Sequence, residues 1–198
     1  MKKTLLKIGL NLVIIAVAYW LYKVIDEPIQ EKRFYEKRQE AVVDRMNLVK
    51  TIQFAHRENY KKFSDNWEDL VRFAENEDFL LIRTIGDPND TTIEVIRDTT
   101  RISIADSLFD SRNEIRKIPY APMLDNIPSS LSGKPEIKEV LEMPKEERKL
   151  LIDAGQINQR GITVQVFEIR DLIPANRKGN RTHTLGSMSD ANYSGNWK

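Results

Sequence analysis

Few side chains in these 198 residues could take part in chemistry. There is no cysteine, which removes disulfides, thiolate nucleophiles, zinc ribbons and iron–sulfur clusters. Histidine occurs twice, at His56 and His183. An imidazole acting as a base needs an orienting acid and a nucleophile. His56 has Tyr60 one helical turn away and neither partner at a recognisable spacing, so it reads as a helix-surface or partly packed side chain. His183 stands in a polar stretch and reads as exposed. Asp87-Pro88-Asn89-Asp90 opens like a calcium loop, but Thr92 stands where that loop needs glycine and the closing glutamate is out of step, so it reads as a turn. The carboxylates Glu146-Glu147 and Glu75, Glu77 and Asp78 read as solvated surface acids. The serines between Gly186 and Gly195 have no histidine partner that the sequence can name. Phosphate-binding loops, dinucleotide fingerprints, G-x-S-x-G and S-x-x-K are all missing. Asn89, Asn180 and Asn192 begin glycosylation sequons, as chance matches in an Asn-rich chain would. This inventory calls for no catalytic residue, no metal ligand and no cofactor, and it argues against an enzyme.

Charge narrows the partners. Lys plus Arg is 31 and Asp plus Glu is 30, a formal +1. Setting aside Lys2, Lys3, Lys7 and Lys23 leaves 27 basic against 30 acidic residues, a net −3. Such a surface gains nothing from a phosphate backbone, so nucleic acid is excluded as a partner.

The membrane is a partner the sequence does name. From Leu5 to Ile25, 17 of 21 residues are apolar, enough to cross a bilayer as one helix. Leu5, Leu12 and Ile15 represent its apolar body, and Tyr19, Trp20 and Tyr22 gather at the far end, where amphipathic rings favour the membrane boundary. Lys2, Lys3 and Lys7 lie at the near end, and no acid precedes Asp26. The positive-inside rule then puts the N-terminus in the cytoplasm and the rest in a periplasm. Two other readings compete with a retained anchor. Ala16-Val17-Ala18 has the form of a signal-peptide cleavage site, although bulky aromatics follow it. Cleavage after Gly9 would make a prepilin, but Ile14 stands where its glutamate belongs.

The elements beyond the anchor follow from periodicity. Pro28 reads as the start of a second helix or a kink in one long helix. Gln30 to Lys62 contains neither Gly nor Pro. Glu31 to Glu40, almost all charged, reads as a solvated stalk. Val42, Met46, Val49, Ile52 and Ala55 then form an apolar stripe that packs on a sheet or serves as an interface. A short helix follows, with Asp65 as N-cap and Glu68 completing a capping box. Phe79 to Ile85 reads as a strand, and Ile93-Glu94-Val95 with Ile102-Ser103-Ile104 as a hairpin turning at Asp98-Thr99-Thr100. Ile118 to Pro122 reads as an edge strand or loop and Asp125 to Pro135 as a surface loop. Ile137 to Met143, Arg148 to Ala154 and Ile162 to Ile169 read as three more strands, with Gly155 and Gly161 bracketing the last turn. The apolar parity switches between Val166 and Phe167, which predicts a bulge or burial on both faces. After Pro174 the apolar pattern stops, so a loosely ordered tail is expected, anchored by Leu185 or Trp197. The expected class is α+β: one transmembrane helix, then an amphipathic helix and a short helix packed on a mostly antiparallel sheet. The expected divisions are 1–27 (cytoplasmic stub and anchor), 28–62 (stalk and amphipathic helix), 63–174 (periplasmic domain) and 175–198 (polar tail).

This order of membrane helix, amphipathic extension, short helix and sheet resembles pseudopilins and type IV pilin-like proteins in architecture. The start MKKTLLKIGLNLVIIAVAYWLYKVIDEPI, the stretch Ile52 to Phe73, the hairpin LLIDAGQINQRGITVQVFEIRD and the ending GSMSDANYSGNWK resemble a family of uncharacterised membrane-anchored proteins of Bacteroidetes. That resemblance implies a Gram-negative inner membrane and periplasm, and it brings no catalytic residues. The expected function is a structural component of a cell-envelope assembly, with other envelope proteins or the chain itself as partners. Its most specific form is a type II secretion or type IV pilus-like apparatus. A periplasmic ligand-binding or sensing module signalling through a partner is the alternative, and a membrane-anchored enzyme the third.

Overall fold

The computed structural model describes residues 2–85 and 96–197. It has an α+β fold built on one helix, α1 (Lys2–Tyr60), of 59 residues. Pro28 does not start a second helix; it lies inside one long helix, α1. Proline removes one backbone donor and crowds the carbonyl four residues back. That carbonyl belongs to Val24, the last residue but one of the apolar run. Lys23 and Glu27 pair across the same turn at 3.3 Å. The apolar window of the first part of α1 is unburied among the described residues. Leu12, Ile15, Tyr19, Trp20 and Tyr22 are each 63–67% exposed, and this is a helix long and apolar enough to cross a membrane. Leu5 lies on the same helix, with its side chain outside the described set.

The second part of α1 is the spine of the domain. Val42, Met46, Val49 and Ile52 are fully buried and Ala55 nearly so. The contact stripe begins eleven residues before Val42, which corrects the expectation of a solvated stalk: Glu31, Phe34, Tyr35 and Arg38 are all buried. Their spacing of three, four and seven is one helix face in phase with Val42 and Val49. The charged residues at other positions hid that phase.

After α1 the chain turns at Lys61, which has a positive φ. The buried Gln53 holds the turn: its Nε2 donates to Ser64 O at 2.7 Å and its Oε1 accepts from Ser64 N at 2.9 Å. Helix α2 (Trp67–Asn76) is capped by Asn66, not Asp65. The Asn66 carboxamide oxygen accepts from Glu68 N at 2.9 Å, and Asp65 lies one residue too early to reach it. Trp67, Leu70, Phe73 and Ala74 face the core, and the Trp67 indole donates to Leu150 O at 2.7 Å.

Two antiparallel sheets follow. Strands β1 (Asp78–Ile85) and β2 (Ile96–Ser103) form the first. Asp98-Thr99-Thr100 lies inside β2, opposite Leu81 to Arg83, and is not a turn. Ile93 to Val95 and the Asp87 to Asp90 stretch fall outside the described residues. Ile104 opens a helix instead of ending a strand: α3 (Ile104–Leu108) is capped by the Ser103 hydroxyl. Next come α4 (Arg112–Lys117), α5 (Ser129–Ser132) and α6 (Pro135–Glu142). Residues 119–121 make a short antiparallel contact with 148–150, through Ala121 N to Arg148 O and Leu150 N to Pro119 O. The expected surface loop at Asp125 to Pro135 contains α5, whose Leu131 is fully buried. The strand expected over Ile137 to Met143 is α6. Pro135 takes its first turn, and Ile137, Val140 and Leu141 fall at helical spacing, with Ile137 and Val140 buried.

The second sheet has the order β3-β4-β5, from β3 (Leu151–Gln159), β4 (Ile162–Pro174) and β5 (Thr182–Gly186). Arg160 and Gly161, both with positive φ, make the two-residue turn between β3 and β4. Gly155 does not flank that turn; it pairs with Val166 inside β3. Val166 and Phe167 are both fully buried in regular register, so the parity switch reflects burial on both faces. Beyond Pro174 the chain is not a loose tail. It forms β5, with Leu185 buried, and residues 194–196 pair back on its outer edge. Phe54, Phe63, Phe167 and Tyr193 stack where α1, the turn, β4 and the C-terminal segment meet.

Candidate functional site

Two places gather polar side chains. The first is a closed cluster between the lower part of α1, the end of β4 and β5. Arg38 projects from the buried face of α1, and Asp171 from β4, because β4 lies against that face. Their guanidinium and carboxylate meet in a two-pronged pair, Arg38 Nη1 with Asp171 Oδ2 and Nη2 donating to Oδ1 at 2.8 Å. The Asp171 carboxylate also accepts from Leu172 N at 2.8 Å. Arg38 Nε and Tyr35 Oη are buried with no hydrogen-bond partner. Glu31, one turn before Tyr35, pairs with Arg177 Nε at 2.9 Å.

His183 belongs to this cluster. It is 4% exposed, not solvent-facing, because β5 alternates and sends His183 and Leu185 to the same inner side. Burial holds its imidazole below the usual range; Asp171 opposes that effect and Arg38 reinforces it. The neutral ring is therefore favoured. Burial also raises the Tyr35 phenol above its ordinary value, with Glu31 adding to the effect. Glu31, Tyr35, Arg38, Asp171 and His183 are each at most 8% exposed. A substrate cannot reach these groups, so the arrangement acts as a clamp between helix and sheet.

The second place is an open groove of about 390 Å³ between the end of α1 and α2, lined by His56, Tyr60, Asp69, Arg72, Phe73 and Glu77 among others. His56 is buried, not on the helix surface, and packs between Tyr60 and Phe73 at ring distances of 4.8 and 5.0 Å. Its Nδ1 lies 2.8 Å from Lys62 O; a carbonyl only accepts, so Nδ1 carries the proton. The Tyr60 hydroxyl donates to Glu77 Oε1 at 3.3 Å, and the Glu77 charge raises the phenol above its usual value. The Ser64 hydroxyl is already committed to Asn66 O at 3.0 Å. No nucleophile–base pair and no metal-binding group of three or more His, Cys, Asp or Glu occurs among the described residues. The groove sets an aromatic wall of His56, Tyr60 and Phe73 beside the charged Asp69, Arg72 and Glu77.

The structure places Leu12, Ile15, Tyr19, Trp20 and Tyr22 on the free length of α1 and Val42, Met46, Val49, Ile52 and Ala55 in the core. Sequence reasoning missed Arg38, Asp171 and His183. The signal present was the heptad spacing of Tyr35, Val42, Val49 and His56, and the alternation of Thr182 to Leu185.

No family model and no solved structure matches the chain. It is similar to the chaperone protein HtpG of Chlorobium phaeobacteroides, at 29% identity over 136 residues. The match covers 62% of this chain and spans about a fifth (21%) of that protein's length.

Proposed function

We propose that this chain is a single-pass inner-membrane protein whose periplasmic domain is a structural component of a cell-envelope assembly. The observation that carries the reading is the continuity of α1. One helix leads from a fully exposed apolar segment into the domain's core, and the Arg38–Asp171 clamp fixes it there. A flexible linker would let a tethered module roam; this arrangement holds the domain at one height and orientation above the bilayer. Fixed presentation is what a scaffold subunit needs, and the lysines before the span support a cytoplasmic N-terminus. The shared order of elements with pseudopilins favours a type II secretion or type IV pilus-like machine, with other envelope proteins or further copies as partners.

The test is to insert four Gly-Ser residues after Gln30 in the full chain, which leaves anchor and fold intact but frees the domain to swing. Loss of partner capture in membrane cross-linking, with normal insertion and melting, supports a scaffold. Unchanged capture and unchanged cellular function refute fixed presentation as the basis of the activity. The groove beside His56 and Tyr60 supports a second reading, a ligand-binding module, since about 390 Å³ lies within the range of small-molecule sites. A ligand that stabilises the wild type but not Arg72→Ala would favour it.

A further inference from the structure

The β4–β5 turn reaches Glu31, the first buried residue of α1 after the apolar segment. Strand β4 runs against α1: Phe167 meets Phe54 edge to face, Asp171 pairs with Arg38, and Arg177 pairs with Glu31. Each step along β4 thus meets an earlier turn of the helix, and β5 then turns back. Glu31 is six residues beyond Ile25, where the apolar run ends, which is about 9 Å along the helix.

The turn, residues 175–181, contains Arg177, Lys178 and Arg181 and no acid. All three are exposed. Lys134 joins them, its Nζ donating to Arg177 O at 3.0 Å. Glu31 neutralises Arg177, whereas Lys178 and Arg181 form no ion pair among the described residues. Besides Glu31, an acid from α6 faces the turn: Glu136 Oε1 would stand 3.8 Å from a Cβ at Gly179. A positive excess therefore gathers beside Glu31, whose rise of about 9 Å from the end of the apolar run is comparable with one Debye length (~8–10 Å), in a domain that is otherwise slightly acidic.

We infer that the β4–β5 turn docks on anionic phospholipid headgroups, with Lys178 and Arg181 as the groups that meet phosphate. The inference rests on α1 spanning the bilayer. Ammonium and guanidinium groups form charge-assisted hydrogen bonds to phosphate oxygens. An anionic leaflet attracts basic groups only within about a Debye length, the scale of the rise to Glu31. Docking there would add a second point of support beside the helix and set the domain's tilt.

The chain has no cysteine, so Asn180→Cys accepts a single fluorophore. The labelled full chain is placed in nanodiscs of phosphatidylcholine alone or with a third phosphatidylglycerol, each holding a headgroup-nitroxide lipid as quencher. Strong quenching is expected with phosphatidylglycerol, weak quenching without it, and loss of the difference in 0.5 M salt. Lys178→Ala with Arg181→Ala should shift the docked-to-free ratio about thirtyfold toward free. Equal quenching in both lipids, or quenching untouched by the double substitution, overturns the inference while α1 stays inserted. A chain that washes out of the nanodisc in alkaline carbonate overturns the spanning helix itself, and docking with it.

Discussion

Replacing Asp171 with alanine leaves Arg38 charged, 1% exposed and without its carboxylate. The guanidinium cannot discard its proton, so its desolvation is no longer offset. Removing one partner of a buried pair costs about 3–5 kcal/mol. For a protein of this length each kcal/mol moves the melting temperature by about 2–4 °C, so Asp171→Ala should melt some 6–20 °C lower. Arg38→Met is the mirror perturbation and leaves the carboxylate with the Leu172 N–H as its one short hydrogen bond. Removing both charges, as Arg38→Met with Asp171→Leu, replaces the pair by apolar volume and should recover most of the loss. The assay is thermal unfolding of the full chain in detergent, followed by near-ultraviolet circular dichroism. The two single losses should exceed the double loss by at least about 1.5 kcal/mol. A single variant within about 2 °C of wild type, or a double variant as poor as the sum of the singles, would refute the clamp.

Three other perturbations probe different parts of the fold. Ile52→Ala opens a void at a fully buried position of α1 and should cost about 2–5 kcal/mol in chemical denaturation; no measurable change would take the stripe out of the monomer core. Gly186 has φ +83°, and a Cβ there would stand 2.2 Å from Phe167 O, so Gly186→Ala should displace β5 and expose Leu185 and His183 to hydrogen exchange; unchanged protection would contradict that packing. Burial depresses the His183 pKa in the fold below the unfolded value of about 6.5. Stability is therefore complete above that value and declines as pH falls below it, since the unfolded chain takes up a proton that the buried ring resists. His183→Gln should flatten this decline in a pH series of melting curves, and an unaltered slope would assign it to other groups.

Some of this protein was readable from local pattern alone. A run of 17 apolar residues in 21, bounded by lysines and aromatics, is legible without any tertiary partner as a helix long and apolar enough to cross a membrane. The stripe Val42 to Ala55 was equally plain, since its period lies in the helix itself. Strand β1 carried its own apolar run and β4 its first residues, whereas β3, expected over Arg148 to Ala154, runs from Leu151 to Gln159, past the glycine expected to turn it. Other features depended on what lay opposite. Glu31, Tyr35 and Arg38 look like solvent-facing residues in a charged run, and only β4 with the β4–β5 turn, over 130 residues later, makes them interior. Asp171 is the same case seen from the sheet: Arg38 supplies a charge that offsets its burial and that no local sequence announces, and His183 is buried beside that pair as a neutral ring. The stretch Ile137 to Met143 held too few residues to separate a strand from a helix by period, and its packing decided for α6. The end of the chain lacks the apolar density that marks a strand, yet β5 forms because β4 offers a free edge and α1 a surface to cover. Hydropathy therefore determined the anchor and the spine, which depend on the solvent around each residue. The clamp, the fourth and fifth strands' partnership and the placement of the basic turn depended on distant groups meeting, which tertiary structure alone could decide.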